Sequence, residues 1–515
     1  MVASCHVSHF PFASYRPGQK EALAQARAAF SSGKRFVVIE APTGAGKSAL
    51  AVTLAREANS AFVLTAQKLL QDQYLRDFPD LALMKGRSNY PCLVAPTHAA
   101  AAPCIAGRKF PECDDCPYFV AKDVAIAADG TIMNYAYYLA ELNYSGGFGP
   151  RELLILDEAH GAEAALMSFI GVRLDDAALR RAGVPETVPS VFEDEQYFDF
   201  ADELMPYLKK RSRDLETELK SGANGLEQLR VKQYLDNQFK RLELMLYSRE
   251  ENDVEWVVQR GRGQEGSWLE FKPVTVASFA RDLLFSFGER VLMLSATILD
   301  APTYLRSLGV HPDEAEVIKV ASEFPPENRP LYPRPVARLT RHYLEQDLPK
   351  LTQEVADIFD AHPDDKGIVH AHSYKIAAYL AQNLPPHCQA RLVSHFSADG
   401  REAALDKHSR SPKPTVLLSP SMTEGVDLAG DLSRWQVICK IPYPYLGDPQ
   451  VKRRKDIDSA WYDWRTALTV VQAYGRSVRS AEDFAVTYVL DADFERFLKR
   501  QRRRLPSWFL EAVQA

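Results

Sequence analysis

The chain has 515 residues, 62 of them lysine or arginine against 68 aspartate or glutamate, for a formal net charge of −6, with 46% apolar and 25% charged residues. That balance fits a globular protein of two to four domains with a sizeable core. No apolar run approaches the roughly eighteen residues of a membrane helix. Met1–Pro11 lacks a basic start ahead of an apolar block, so no secretory leader is expected and the cytoplasm is the expected compartment. The acidic average does not announce a nucleic-acid partner, yet it leaves room for a local basic groove, because phosphate contacts act within about 8–10 Å.

In chain order, Phe36–Glu40 is a short apolar, β-branched run that leads into Ala41-Pro42-Thr43-Gly44-Ala45-Gly46-Lys47-Ser48. A helix is expected over Ser48–Glu57, a second buried strand at Ala61–Thr65, and a third at Leu153–Leu156, ending at Asp157. Short apolar strands alternating with helices point to an α/β fold with a parallel sheet, whose ligands bind at the carboxyl ends of the strands. From about Leu174 to Arg249 the pattern changes. Leu226, Leu229, Leu235, Phe239, Leu242 and Met245 recur at helical steps, broken near Ser221–Gly225, which predicts a mostly helical insert. Strand signals return at Glu255–Val258 and Val291–Leu294. The proline-rich stretch from Phe324 to Pro335 reads as a linker. A second α/β pattern follows, with strands expected at Gly367–His370, Thr415–Leu418, Val437–Ile441 and Ala485–Leu490. There is no internal repeat and no low-complexity tract.

Ala41–Ser48 matches G-x-x-x-x-G-K-[ST] except for its first glycine, and it lies between a strand and a helix, as that loop requires. Gly44 and Gly46 let backbone N–H groups close on phosphate oxygens. Lys47 reaches the β- and γ-phosphates, and the Ser48 hydroxyl suits Mg²⁺. The helix N-terminus adds a positive dipole end. Asp157-Glu158-Ala159-His160 ends an apolar strand; Asp157 can hold the Mg²⁺ shell and Glu158 can orient or deprotonate the attacking water.

Seven cysteines are present, and Cys92, Cys104, Cys113 and Cys116 fall within 25 residues, while Cys5, Cys388 and Cys439 are scattered. An odd count without a leader argues against disulfides, so the cluster reads as a metal site. Four thiolates suit zinc or an iron–sulfur cluster, and the spacing alone does not choose between them. His370 and His372 flank a strand end and read as edge or core histidines. Lys452–Lys455 and Lys499–Arg504 are basic runs that suit either phosphate contact or a solvated helix face.

With the two nucleotide motifs placed, the order of further motifs resembles the XPD/DinG family of superfamily-two helicases. Arg16-Pro17-Gly18-Gln19 is similar to the family's adenine-reading motif, and Thr65-Ala66-Gln67 to its first DNA-contact motif. Lys85–Cys92 resembles the entry to the family's iron–sulfur module, and Asn134-Tyr135 the segment after it. Ser295-Ala296-Thr297 resembles the motif that couples hydrolysis to domain movement. Thr423-Glu424-Gly425-Val426-Asp427 resembles the fifth motif, Gln472–Arg479 the sixth, and Leu505–Phe509 the usual ending.

The resemblance implies two RecA-like domains with ATP between them. It assigns residues 1–84, 131–170 and 273–325 to the first domain, 85–130 to an iron–sulfur insert, 171–272 to a helical arch and 326–515 to the second domain. It implies a [4Fe–4S] cluster on the four cysteines, with zinc the alternative. It places Arg476 and Arg479 against the γ-phosphate, lets Gln472 position the γ-phosphate or water, and adds Glu424, Gly425 and Asp427 to the nucleotide site. The implied activity is ATP-dependent 5′-to-3′ movement on single-stranded DNA, opening duplex DNA or RNA–DNA hybrids as a monomer. A translocase that remodels without unwinding and a metal-containing nucleic-acid scaffold are the competing readings. Arg87 and Tyr90 are candidates to meet DNA, with Tyr90 as a stacking surface. Ser373-Tyr374 matches the fourth motif in position. The stretch ahead of Arg16 is too short for the nuclease domain that some relatives carry.

Overall fold

The structure is a computed structural model, described for residues 9–66, 68–106, 110–190, 193–220, 225–322, 324–395, 400–420, 428, 430–478 and 482–514. Among these residues the strands, in chain order, are β1 (Phe36–Glu40), β2 (Ala61–Thr65), β3 (Ala82–Leu83), β4 (Gly130–Asn134), β5 (Arg151–Asp157), β6 (Val172–Asp175), β7 (Trp256–Gly263) and β8 (Gly266–Pro273). They continue with β9 (Gly288–Ser295), β10 (Ala315–Lys319), β11 (Leu331–Ala337), β12 (Gly367–His370), β13 (Leu392–Ser394), β14 (Val416–Ser419), β15 (Trp435–Ile438) and β16 (Val486–Asp491).

Two parallel sheets carry the fold. The first has the order β10-β1-β9-β5-β2-β4-β3 and the second β11-β16-β15-β12-β14-β13. Their inner strands are apolar along their whole length because helices cover both faces: Val37, Val38, Ile39, Phe62, Val63, Leu64, Leu154, Ile155 and Leu156 are all fully buried. The α/β class with two RecA-like units is therefore present.

Between β5 and β9 the chain leaves the first sheet. The helices Glu195–Lys220 and Leu226–Glu251 pair antiparallel, since Arg249 near the end of the second meets Glu195 at the start of the first. Leu229, Leu235, Leu242 and Met245 of the second helix are buried. The helical period thus locates the pair, but the insert also contains an antiparallel sheet in the order β6-β8-β7.

The proline-rich stretch differs from expectation. It contains β11, which pairs in parallel with β16 at the edge of the second sheet. Pro333 and Pro335 are tolerated there because an edge strand needs donors on one side only. The strand expected at Val437–Ile441 lies earlier, at β15, because the Ile441 N–H leaves the ladder for the Asp491 carboxylate at 2.8 Å.

The halves meet through buried side chains. Trp464, fully buried, donates from Nε1 to the Ile298 carbonyl at 2.7 Å, and Trp461 Nε1 reaches both Glu163 oxygens at 3.0 Å. Among the described residues no helix is long and apolar enough to cross a membrane.

One packing prediction is local to the second sheet. A Cβ at Gly367 would lie 2.3 Å from the fully buried Trp435 ring. Gly367→Ala is expected to destabilise the fold by about 1–3 kcal/mol, read as a lower urea midpoint. An unchanged midpoint would show that the ring can move aside.

Candidate functional site

Strand β9 pairs with β1 on one side and β5 on the other, with Glu40 opposite Ser295 and Asp157 opposite Leu294. Three loops therefore leave the same edge of the sheet side by side: Ala41–Ser48 after β1, Glu158–Gly161 after β5, and Ala296–Leu299 after β9. Hydrogen bonds tie them together. Ala41 N–H donates to the Ser295 carbonyl at 3.0 Å, and Glu40 Oε1 accepts from Ile298 and Leu299 at 2.8 and 2.6 Å. Ala41 is fully buried, so the position where the loop pattern has glycine carries a small apolar side chain in the core.

The glycine loop turns into the helix Lys47–Glu57 through Gly44 and Gly46, both left-handed at φ 83° and 77°. At Gly46 a Cβ would also meet Gln19 Nε2 at 2.3 Å. Gln19 donates to the Ala45 and Gly46 carbonyls at 2.9 and 3.2 Å, its own Oε1 accepts from Arg16 N–H at 2.7 Å, and Arg16 donates to the Gly44 carbonyl. The predicted adenine-reading pair thus braces the loop from behind.

Asp157 is buried, and burial, followed by the charge of Glu158, pushes its carboxyl up to about 6, against the pull of Lys47 and of a hydrogen bond from Tyr74. Tyr74 Oη donates to Asp157 Oδ2 at 2.8 Å. Glu158 is held at φ 51°, a costly conformation for a side-chain-bearing residue and one typical of functional sites. From it runs a line of polar contacts. Glu158 Oε2 lies 3.4 Å from His160 Nδ1, which sits 2.9 Å from Ser295 Oγ; that oxygen accepts from Thr297 N–H at 3.1 Å; Thr297 Oγ1 accepts from Gln472 Nε2 at 3.2 Å. The last step crosses to the helix Ser459–Tyr474 of the second half.

The cleft between the halves is lined by Thr43 and Glu158 on one wall and by Gln472 and Arg476 on the other. Arg479, Glu424, Gly425, Asp427 and Gln67 lie outside the described residues. The sequence did not point to Arg329, buried in the cleft wall over the Trp508 ring at 5.1 Å, with Nη2 donating to Phe324 O at 2.6 Å. Trp508 stacks on Tyr474, whose hydroxyl donates to Arg329 O at 2.6 Å. Nor did it single out Tyr74. Only their tertiary neighbours reveal either residue.

Cys92, Cys104, Cys113 and Cys116 converge on one small cavity with Leu93, Ala99, Ala102 and Phe110. None of the four is in a disulfide, and burial raises the Cys104 thiol, Arg87 lowers it and the neighbouring cysteines raise it further. Four soft donors, an apolar wall and a nearby guanidinium fit a thiolate-ligated metal or cluster. Arg87 lies over Tyr118 at 4.6 Å, and Tyr90 packs edge-on to the same ring and is half-buried in this module. The basic runs are largely spent on contacts within the chain. Arg453 pairs with Glu255, Arg454 is buried against Trp461, Arg500 pairs with Asp463, and Arg504 bridges to Asp300.

Residues 355–512 match the family described as the helicase C-terminal domain, and residues 13–178 match that of the type III restriction enzyme, res subunit. No curated protein matches the sequence. A solved XPD helicase superposes with a TM-score of 0.67 at 15% identity, covering 96% of this chain and 98% of its own. Xpd4 of S. tokodaii gives 0.61 at 15% over 96% and 99%, and an apo XPD structure 0.61 at 14% over 94% and 98%. The fold over nearly the whole chain is therefore similar to that of the XPD helicases, and its C-terminal part matches a helicase domain.

A carboxyl group must ionise to hold a cation, so a Mg²⁺ ion held by Asp157 would compete with a proton there below about pH 6. The Mg²⁺ concentration needed for half-maximal ATPase is expected to rise about tenfold per pH unit below that point and to level off above it. Because the folded value lies above the unfolded one, this group's contribution to stability is present at low pH and lost as pH rises through about 6. Tyr74→Phe removes a donor that favours the ionised form, so the acid limb should move to higher pH. A limb that stays in place would show that Tyr74 does not act on Asp157.

Proposed function

We propose that the chain is a DNA helicase that moves 5′ to 3′ on single-stranded DNA and opens tailed duplexes or RNA–DNA hybrids, as a cytoplasmic monomer using ATP and Mg²⁺. The observation that supports this best is the seam itself. Lys47, Ser48, Asp157 and Glu158 come from one sheet edge, and Gln472 and Arg476 face them from the other half. In this reading Lys47 and the loop amides hold the phosphates, with Arg16 and Gln19 at the base, and Thr43, Gly44, Ala45 and Gly46 form the cradle. Ser48 and Asp157 hold Mg²⁺, and Glu158 orients the attacking water. Arg476, with Arg479, stabilises the charge on the transferring phosphoryl group, a role worth roughly 10³–10⁵ in rate where it has been measured. Glu424, Gly425 and Asp427 complete the site from the second domain.

The four cysteines would hold a [4Fe–4S] cluster, which supplies a rigid cross-link for an insert that has little regular structure of its own. Residues 85–130 and the arch 171–272 would flank the path of the strand, and residues 326–515 would form the second motor domain, closing on 1–84, 131–170 and 273–325.

Lys47→Ala should abolish ATPase stimulated by single-stranded DNA, and wild-type protein should unwind a 5′-tailed but not a 3′-tailed duplex. ATPase without strand separation would favour a translocase, and background turnover with and without DNA would favour a scaffold. Anaerobically purified protein should contain about four irons per chain and absorb near 400 nm. Cys113→Ser should lose that signal. A colourless protein with stoichiometric zinc would replace the cluster by zinc.

A further inference from the structure

Among the described residues, outside the cleft and the four-cysteine cavity, one group of metal-ligating side chains remains. Asp360, His387 and Cys388 bring their donor atoms within 4.8 Å of one another. His387 Nε2 lies 2.8 Å from Asp360 Oδ1 and 3.2 Å from Cys388 Sγ. We propose that these three residues form a second metal site in the C-terminal half, one that takes a zinc-class divalent cation with water completing the tetrahedron.

The argument begins with proton counting. Nε2 carries at most one proton. With the proton, it donates to Asp360 and leaves the Cys388 thiol with no acceptor there. Without it, the thiol can donate, but the carboxylate then faces a nitrogen lone pair. A shared cation satisfies all three donors at once. A hydrolytic Cys–His–Asp relay is a different arrangement, because it needs the carboxylate and the sulfur on opposite ring nitrogens; here both address the same one.

The donor set selects the cation. A thiolate and an imidazole suit zinc or cobalt, whereas Mg²⁺ and Ca²⁺ want oxygen alone. Tetrahedral zinc would set the N···O and N···S separations at roughly 3.3–3.6 Å, slightly wider than those observed. Asp360 and His387 are exposed side chains and can open by that amount, while Cys388 is buried and fixed.

The surroundings hold the site in place. Asp360 lies in the last turn of the helix Leu344–Ala361, whose negative end favours a cation. Arg391 clamps that helix end, donating to the Phe359, His362 and Asp365 carbonyls at 3.1, 2.8 and 2.8 Å, and its own N–H donates to the Cys388 carbonyl at 3.0 Å. Burial, then the Asp360 charge, raise the Cys388 thiol to about 11, with Arg391 pulling the other way.

The test uses the full chain with its cysteine cluster loaded. Equilibrium dialysis against micromolar Zn²⁺, with metal analysis, should find one zinc in the wild type beyond the content of the four-cysteine site. Asp360→Asn and Cys388→Ser should each weaken that binding at least about tenfold. With Co²⁺, the difference spectrum between wild type and Cys388→Ser should show a thiolate-to-metal charge-transfer band. Asp360 is on the surface, so Asp360→Asn should fold and keep its ATPase, which separates loss of this site from loss of the motor. Equal zinc in all three proteins, no extra zinc in the wild type, or no cobalt band would overturn the proposal.

Discussion

The structure depends on one strand being shared. β9 sits between β1 and β5, so the backbone ladder sets the spacing of three loops that are far apart in sequence. A one-residue slip of β9 would turn Ser295 away from Ala41 and His160 and exchange the side chains packed against the two faces of the sheet. The full burial of Leu292, Met293 and Leu294 makes that slip expensive, so core packing fixes the position of polar groups at the strand end.

From that edge the contacts continue across the molecule. Ser295 and Thr297 stand between His160 on one side and Gln472 on the other, and Trp464 donates to Ile298 in the same loop. The loop after β9 therefore touches both halves. A change in charge or geometry at Glu158 is a few hydrogen bonds from the helix Ser459–Tyr474. Such a chain makes both ends sensitive to the same side-chain rearrangement.

Much of the fold was legible locally. β1, β2 and β12 fall where their apolar runs end, since a strand buried on both faces writes itself as a continuous apolar block. The arch helices were legible through the period of Leu229, Leu235, Leu242 and Met245. Strands with little local signal were missed: β4 begins at a glycine, β3 has two residues, and β11 holds two prolines that become acceptable only once the sheet edge is known. At the site, the phosphate loop and acidic box announce themselves by residue type, but Tyr74 and Arg329 matter through neighbours more than 80 and 140 residues away, Asp157 and Tyr474. The meeting of Asp360 with Cys388 was equally invisible, because Cys388 reads alone as an ordinary thiol.

The connector between the sheets runs from Lys319 at the end of β10 to Leu331 at the start of β11, and it carries Arg329. It is anchored at both ends in hydrogen-bonded ladders and stiffened by Pro325, Pro326 and Pro330. A slack tether would let the two sheets part without consequence for the cleft. Here the hinge material is also wall material: Arg329 lines the cleft, its carbonyl held by the Tyr474 hydroxyl and its guanidinium over the Trp508 ring of the second half. The joint between the two sheets is thus built into the wall of the cleft that lies between them.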